Sequence, residues 1–320
     1  MNSDSITDIA IGSNGCKYFT TAYSFGMQEP SHIEICSNKN IEMNVESYHE
    51  YPVACISISS HRIGDLCEPF SVVFIASADN ITSWLWSVKK ETYQLVCQCQ
   101  VKSDYQKPIG LVLSPCETAI GIMKETKISI LTVSSNFQIS YWSSLELQMQ
   151  SKSSTSKLTT ILFISEFSTL FPLLLFSSYE NGIIYVWNVQ DCEIVCSFDL
   201  ASTSNSTKHA ISCAAHTTPR QNQQLLSANL VAFGTNDGEV LIYQFGTHQN
   251  EIDMFYCCPM LDVDLGKNIL PMAIDFFTQD KNVQRSLRFP YCAVATQFSC
   301  VIVDCNSGSL VDSEKEKEQW

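Results

Sequence analysis

The residues able to do chemistry are numerous but scattered. The 320-residue chain carries 15 cysteines and six histidines. A zinc site would need paired C-x2-4-C modules with further Cys or His at set spacing. Cys97-x-Cys99 has the wrong gap, and Cys257 and Cys258 are adjacent. Cys192-x3-Cys196 and Cys300-x4-Cys305 fall inside strand-like runs. Residues two apart on a strand share a face, so Cys97 and Cys99 read as small core hydrophobes. The cysteine count is odd and no secretory signal opens the chain, so a disulfide framework is not expected. For the same reason the sequons at Asn80 and Asn205 carry no weight.

His32, His49, His61, His209, His216 and His248 are spread along the chain, and the pair seven apart, His209 and His216, shares no metal face. There is no G-x4-G-K-[ST], G-x-G-x-x-G, G-x-S-x-G or H-E-x-x-H segment. A Ser/His/Asp grouping can converge from distant segments. With so many Ser and Asp residues, any triple chosen from sequence is arbitrary. The expectation is therefore no catalytic site, no cofactor and no metal.

Charge narrows the partners. Nineteen basic against 33 acidic residues give a net charge of −14 and a pI near 4.8. Without a basic patch, such a chain is repelled by phosphate backbones and anionic lipid, so neither nucleic acid nor membrane is expected. Basic protein segments are the natural partners, with electrostatics raising on-rate and selectivity. The chain is 45% hydrophobic and only 16% charged. That composition rules out a disordered chain and argues against a bundle whose exposed helices would need Lys and Glu. The greasiest stretch, Ile161–Phe176, is interrupted by Ser165, Glu166 and Ser168. It is too short and too polar for a span of about 20 residues, and reads as strands Thr160–Ile164 and Leu173–Phe176 around a turn. Together with the polar start, this gives the expectation of a soluble, cytoplasmic protein.

The elements that must position these residues come as one repeated phrase. Leu173–Phe198 holds a short apolar strand, a polar turn at Glu180-Asn181-Gly182, and an aliphatic strand ending in Trp187. A tight turn at Gln190-Asp191 and a third strand complete it. Asn-Gly supplies the positive φ that a short hairpin needs. The phrase returns at Val72–Ser77, Ala78-Asp79-Asn80 and Ile81–Val88, with Trp86 in the Trp187 place. It returns again at Leu230–Thr235, Asn236-Asp237-Gly238 and Val240–Phe245, with Tyr243 in that place. Weaker copies sit at Ala119–Met123 with Lys127–Val133 and at Tyr291–Thr296 with Cys300–Cys305, and a partial one at His32–Cys36. Leading strands at Val53–Ser59, Ile109–Pro115, Ile211–Ala215 and Leu270–Phe276 make four strands per unit. Aligning Cys36, Trp86, Leu131, Trp187, Tyr243 and Val303 gives spacings of 50, 45, 56, 56 and 60 residues. No 3.6-residue period survives in these windows, so the fold is all-β, with repetition as its organising feature.

These phrases resemble the WD40-repeat β-propellers. Val186-Trp187-Asn188-Val189-Gln190-Asp191-Cys192 is similar to that family's third-strand signature, with Asn188 where aspartate is usual. His49-x3-Val53 resembles its histidine-led inner strand, and Leu113-Ser114-Pro115-Cys116-Glu117 its inner-strand exit turn. The chain departs from the pattern in lacking a Gly-His dipeptide and a strict Trp-Asp. The resemblance implies a β-propeller of about six to seven four-stranded WD40-like blades over 1–311, followed by a charged flexible tail at 312–320. It makes His49, Asp79, Trp86, Trp187, Asn188, Asp237 and Tyr243 structural-motif residues, with His49 bonded to an acid such as Asp79. It places Ile6–Ile11 beside Leu310–Val311 as the strand that seals the ring.

The resemblance also implies a non-catalytic scaffold for protein–protein interactions, acting through loop surfaces. The alternatives are a structural subunit of a stable assembly and, more remotely, a propeller-fold hydrolase. Trp84 and Trp86 share a strand face, and read either as inter-blade packing or as an exposed protein-binding pair. Polar inserts at Ser151–Lys157, Ala201–Thr207 and Thr217–Leu226 read either as plain connections or as phosphorylation sites.

Overall fold

The structure, a computed structural model, describes residues 5–11, 19–24, 32–36, 40–44, 49, 51, 53–58, 72–87, 92–101, 106–147, 156–165, 173–200, 210–217, 229–247, 255–266, 269–277 and 291–311. The charged tail at 312–320 and nearly all of the three polar inserts lie outside the described residues.

Six four-stranded sheets follow one another along the chain, each an antiparallel meander with its strands in chain order. The first holds β1 (Ser5–Ile11), β2 (Phe19–Ser24), β3 (His32–Cys36) and β4 (Asn40–Asn44). The second holds β5 (Cys55–Ile58), β6 (Val72–Ala76), β7 (Asn80–Ser87) and β8 (Thr92–Gln100). The third holds β9 (Gly110–Leu113), β10 (Ala119–Met123), β11 (Lys127–Val133) and β12 (Ile139–Glu146). The fourth holds β13 (Leu158–Ser165), β14 (Leu173–Tyr179), β15 (Ile183–Asn188) and β16 (Glu193–Asp199). The fifth holds β17 (Ile211–His216), β18 (Asn229–Thr235), β19 (Glu239–Thr247) and β20 (Phe255–Asp264). The sixth holds β21 (Pro271–Phe277), β22 (Tyr291–Thr296), β23 (Cys300–Asp304) and β24 (Leu310–Val311). Two compact units divide them, Met1–Thr155 with the first three sheets and Ser156–Trp320 with the last three.

The repeated phrase maps onto the second and third strands of each sheet. β1 pairs with β2, and β24 with β23, each within its own sheet. The segments that form β2, β3 and β4 supply partners in the same sheet, so the N-terminal strand completes a meander of its own.

The second strand of a sheet is its core element. β6, β10 and β14 are buried at every position. A strand covered on both faces reads as a continuous apolar run and not as an alternating one. The outer strand β12 instead alternates, as a strand with one wet face does. Turn chemistry closes the hairpins: Gly238, at φ +89°, has no room for a Cβ, which would lie 2.6 Å from the Gly266 carbonyl oxygen.

In the Met1–Thr155 unit, the second and third sheets share a core of Val72, Phe74, Ile81, Ile120, Ile122 and Leu131. Ser83 Oγ donates to the Phe137 carbonyl at 2.9 Å, and the Ile139 amide donates to Cys97 Sγ at 3.3 Å, pinning the two sheets together. In the Ser156–Trp320 unit, Phe176, Phe233, Tyr243 and Phe245 pack between the fourth and fifth sheets. The rings of Phe176 and Phe233 meet edge to face with centroids 6.1 Å apart, an arrangement worth about 0.5–1.5 kcal/mol beyond area burial.

The fifth and sixth sheets approach most closely at Gly234. A Cβ there would lie 2.6 Å from Pro271 Cβ and 2.7 Å from Cys213 Sγ. Beside it, Ser212 Oγ donates to the Pro271 carbonyl at 2.6 Å. Gly234→Ala is expected to cost about 1–3 kcal/mol through overpacking, read as a lower urea midpoint. An unchanged midpoint would mean that these sheets stand further apart.

Candidate functional site

Strand register assigns the Trp place. In the third strand it lies three residues beyond the pair nearest the hairpin turn. From Ile184 this counts to Trp187, from Val240 to Tyr243, from Ile128 to Leu131 and from Cys300 to Val303. From Ile81 it counts to Trp84, not Trp86, and in the first sheet from His32 to Ile35, not Cys36. A register shift in the pairing of the third and fourth strands marks the same place, between Ser83 and Trp84, Ile130 and Leu131, Val186 and Trp187, and Ile242 and Tyr243. Trp84, Trp187 and Tyr243 are all buried. Trp86 lies on β7, and its side chain is outside the described residues.

Around Trp84 the second sheet assembles a polar chain. Trp84 Nε1–H donates to Thr82 Oγ1 at 2.9 Å, and Thr82 Oγ1 lies 3.0 Å from His49 Nε2. His49 Nδ1 lies 2.7 Å from Ser77 Oγ, whose hydroxyl donates to Asp79 Oδ1 at 2.7 Å. Because Ser77 gives its proton to Asp79, it accepts from His49 Nδ1–H. Nε2 is then the bare nitrogen that accepts from Thr82. His49 therefore reaches Asp79 through Ser77 and not directly. The Asn80 amide completes the turn by donating Nδ2–H to Asp79 Oδ2 at 2.7 Å. Burial holds His49 as the neutral imidazole, its pKa lowered to about 4 against a weaker opposing pull from Asp79.

The other motif residues hold turns. Asn188 is buried; its Nδ2–H donates to Asp191 Oδ2 at 2.7 Å and its Oδ1 accepts from the Gln190 amide at 3.1 Å. Asp304 does the same in the sixth sheet, accepting from the Asn306 amide at 2.8 Å and the Ser307 hydroxyl at 2.9 Å. Trp187 Nε1–H donates to Ser177 Oγ at 2.8 Å. Asp237 is exposed in the β18–β19 turn, and Thr235 Oγ1 closes that turn by accepting from the Glu239 amide. Ser77 and Thr296 occupy the same position in their sheets and also cap the turn backbone. Sequence reading missed Thr82, Ser77, Thr235, Thr296 and Asp304. For Ser77, Thr235 and Thr296 the available signal was a Ser or Thr just past the second strand's last pair, before the polar turn, in the second, fifth and sixth sheets.

Four of the described thiols are held in their neutral form. Burial pushes Cys196 and Cys213 up to about 11 and Cys305 up to about 12, and raises Cys292 further. A thiol held in its neutral form is neither a nucleophile nor a metal ligand. Among the described residues, no three His, Cys, Asp or Glu side chains group to hold a metal ion. His216 Nε2 is buried without a hydrogen-bond partner among the described residues, and burial lowers that pKa to about 4 as well.

No protein-family model matches the chain, and no curated protein matches it in sequence. Solved structures do match in fold. Saccharomyces cerevisiae Sqt1 aligns with a TM-score of 0.62 at 10% identity, covering 97% of this chain and 74% of that one. The β-propeller domain of Myceliophteria thermophila Cps50 (Swd1) aligns with a TM-score of 0.59 at 12% identity, covering 98% and 87%. Both are WD40 β-propellers, and the fold is accordingly that of a multi-blade β-propeller.

Thr82→Val removes the hydroxyl shared by Trp84 and His49 and leaves both ring nitrogens buried without it. The expected cost is about 1–3 kcal/mol, measured by urea denaturation; a cost near zero would show the chain of bonds to be incidental. Stability also depends on acid. His49 and His216 have folded pKa values near 4 against an ordinary 6.5, so the unfolded chain binds more protons between those values. Stability is complete above pH 6.5 and is expected to fall as the pH drops toward 4, by up to about 1.4 kcal/mol per pH unit for each histidine. Replacing His216 with Leu should flatten that slope, and an unaltered slope would contradict the assignment.

Proposed function

We propose that this chain is a non-catalytic, cytoplasmic scaffold that holds other proteins through its loop and turn surfaces, with basic segments as partners. The order of groups in the second sheet is the observation that supports it. A hydrolytic triad needs the histidine between serine and acid, so that the imidazole can take the serine proton. Here the serine lies in the middle: Ser77 donates to Asp79 and accepts from His49, in a fully buried position. This Ser/His/Asp grouping thus holds a turn, and its histidine does not take the serine proton. With these polar side chains holding turns within the sheets, the exposed turns and loops are the surface open to partners, which is how repeat folds present themselves.

Charge supports the nature of the partner. Residues 156–320 carry 18 carboxylates against nine Lys and Arg. A second reading, a structural subunit of a stable multiprotein assembly, is favoured by exposed apolar side chains in the sixth sheet. A narrower likeness, of the phrases Ile75–Trp86 and Thr235–Phe245 to WD repeat-containing protein 27, has no support in the comparisons and carries none of this reading.

Affinity capture from lysate tests the proposal. The chain is expected to retain a reproducible partner set through basic segments, and to lose it at high salt or after Asp237→Lys with Asp264→Lys. A partner set indifferent to both would contradict the electrostatic reading. Turnover of an ester or phosphate panel by the purified chain would contradict the non-catalytic one.

A further inference from the structure

The register that defines the Trp place also fixes one residue on the first strand of each sheet, because directly opposed residues on neighbouring strands point to the same face. In chain order those residues are Ala10, Ile58, Leu113, Phe163, His216 and Phe276. Five are apolar, and the fifth sheet has a histidine in their place. The row there is His216–Val231–Tyr243. Val231 and Tyr243 belong to the apolar core between the fourth and fifth sheets, so the imidazole shares that face. Its Nε2 is buried and has no hydrogen-bond partner among the described residues. A hydrocarbon side chain fills the same place in the fourth sheet, where Phe163 is buried. The histidine therefore lowers stability at neutral pH, since it buries a ring nitrogen that nothing bonds.

The groups around the ring offer an imidazolium little. β13 and β18, which flank β17, carry no ionisable side chain, and β21, on the other face of β17, carries Asp275. β19 brings Tyr243 in the row and Glu239 at its far end, and β14 ends in Tyr179. β16 brings Cys196 to this core and has Glu193 and Asp199 exposed at its ends. Burial is what lowers the His216 pKa to about 4. An imidazolium has two donors and no acceptor, and in so apolar a place it must reach water. His216 is the last residue of β17, so it can do so by the strand end peeling away while the rest of the sheet stays paired. A clasp holds that end: the Thr217 amide donates to the Leu230 carbonyl at 2.9 Å, and Thr217 Oγ1 accepts from the Leu230 amide at 3.0 Å. Before it, Ala214 and Ala215 add little side-chain area. We propose that His216 and the Thr217 clasp form an acid-sensitive joint: on protonation the end of β17 leaves the core between the fourth and fifth sheets, while the rest of the unit stays folded. The sign follows from the ring's two environments. Its ordinary pKa is 6.5 once released and about 4 while buried, so the released form binds the extra proton between those values. Opening grows by about tenfold for each pH unit below 6.5 and levels off near 4.

Hydrogen exchange of the full chain, read by mass spectrometry from about pH 7 to about pH 4.5 and corrected for the chemical exchange rate, tests the joint. Amides of residues 211–217 should lose protection by about tenfold per pH unit below 6.5, while those of 173–179 on β14 and 239–247 on β19 keep theirs. His216→Phe, the side chain used at this place in the fourth and sixth sheets, should abolish the acid sensitivity of 211–217. His216→Leu, after Leu113 of the third sheet, should do the same, and decides the matter where the larger ring fails to fold. Protection of 211–217 that ignores pH overturns the proposal, and so does an acid-induced loss that persists in both variants. Loss of protection by all three segments together overturns it as well, because acid would then unfold the unit and not open a joint.

Discussion

The second strand of a sheet must be covered on both faces, and most of the structure answers to that constraint. It explains why β6, β10 and β14 are apolar without alternation, and why outer strands such as β12 alternate. It also explains why Gly234 stands where two sheets meet: at 2.6 Å from Pro271, no side chain fits. Polar groups drawn into such stacks need partners, since an unpaired buried donor costs about as much as several surface contacts gain. The chain from Trp84 through Thr82, His49 and Ser77 to Asp79 is the local solution, with every proton accounted for.

Much of this was readable from the residues. The phrase around Asn181-Gly182 and Trp187 repeats because each sheet needs a hairpin turn of the same hand and a large buried side chain at the same place. The weaker copies at Ala119–Met123 and Lys127–Val133 coincide with β10 and β11. The error at Trp86 has a simple origin. Trp84 and Trp86 share a strand face, so alternation cannot choose between them, and only the register shift after Ser83 does. In the first sheet the alignment fell one residue off, on Cys36 where the register gives Ile35.

Other features lay beyond pattern. Hydroxyls at Thr82, Ser77 and Thr235 look like any Ser or Thr until a neighbour from another strand arrives to bond them. The exposure of Ala273 and Ala295 is invisible in sequence, because Tyr291–Thr296 is as apolar as its counterpart Asn229–Thr235. Whether a face is covered depends on what packs against it, and that information is not local. Strand propensity likewise says that a segment will pair, but not with which partner.

Thiol accessibility tests this account most directly, because cysteines sit on both kinds of face. Alkylation of the native chain, mapped by mass spectrometry, should modify Cys300 readily and leave Cys213, Cys292 and Cys305 untouched until the chain unfolds. Alkylation of Cys292 and Cys305 as fast as Cys300 would contradict the packing of the sixth sheet against the fifth.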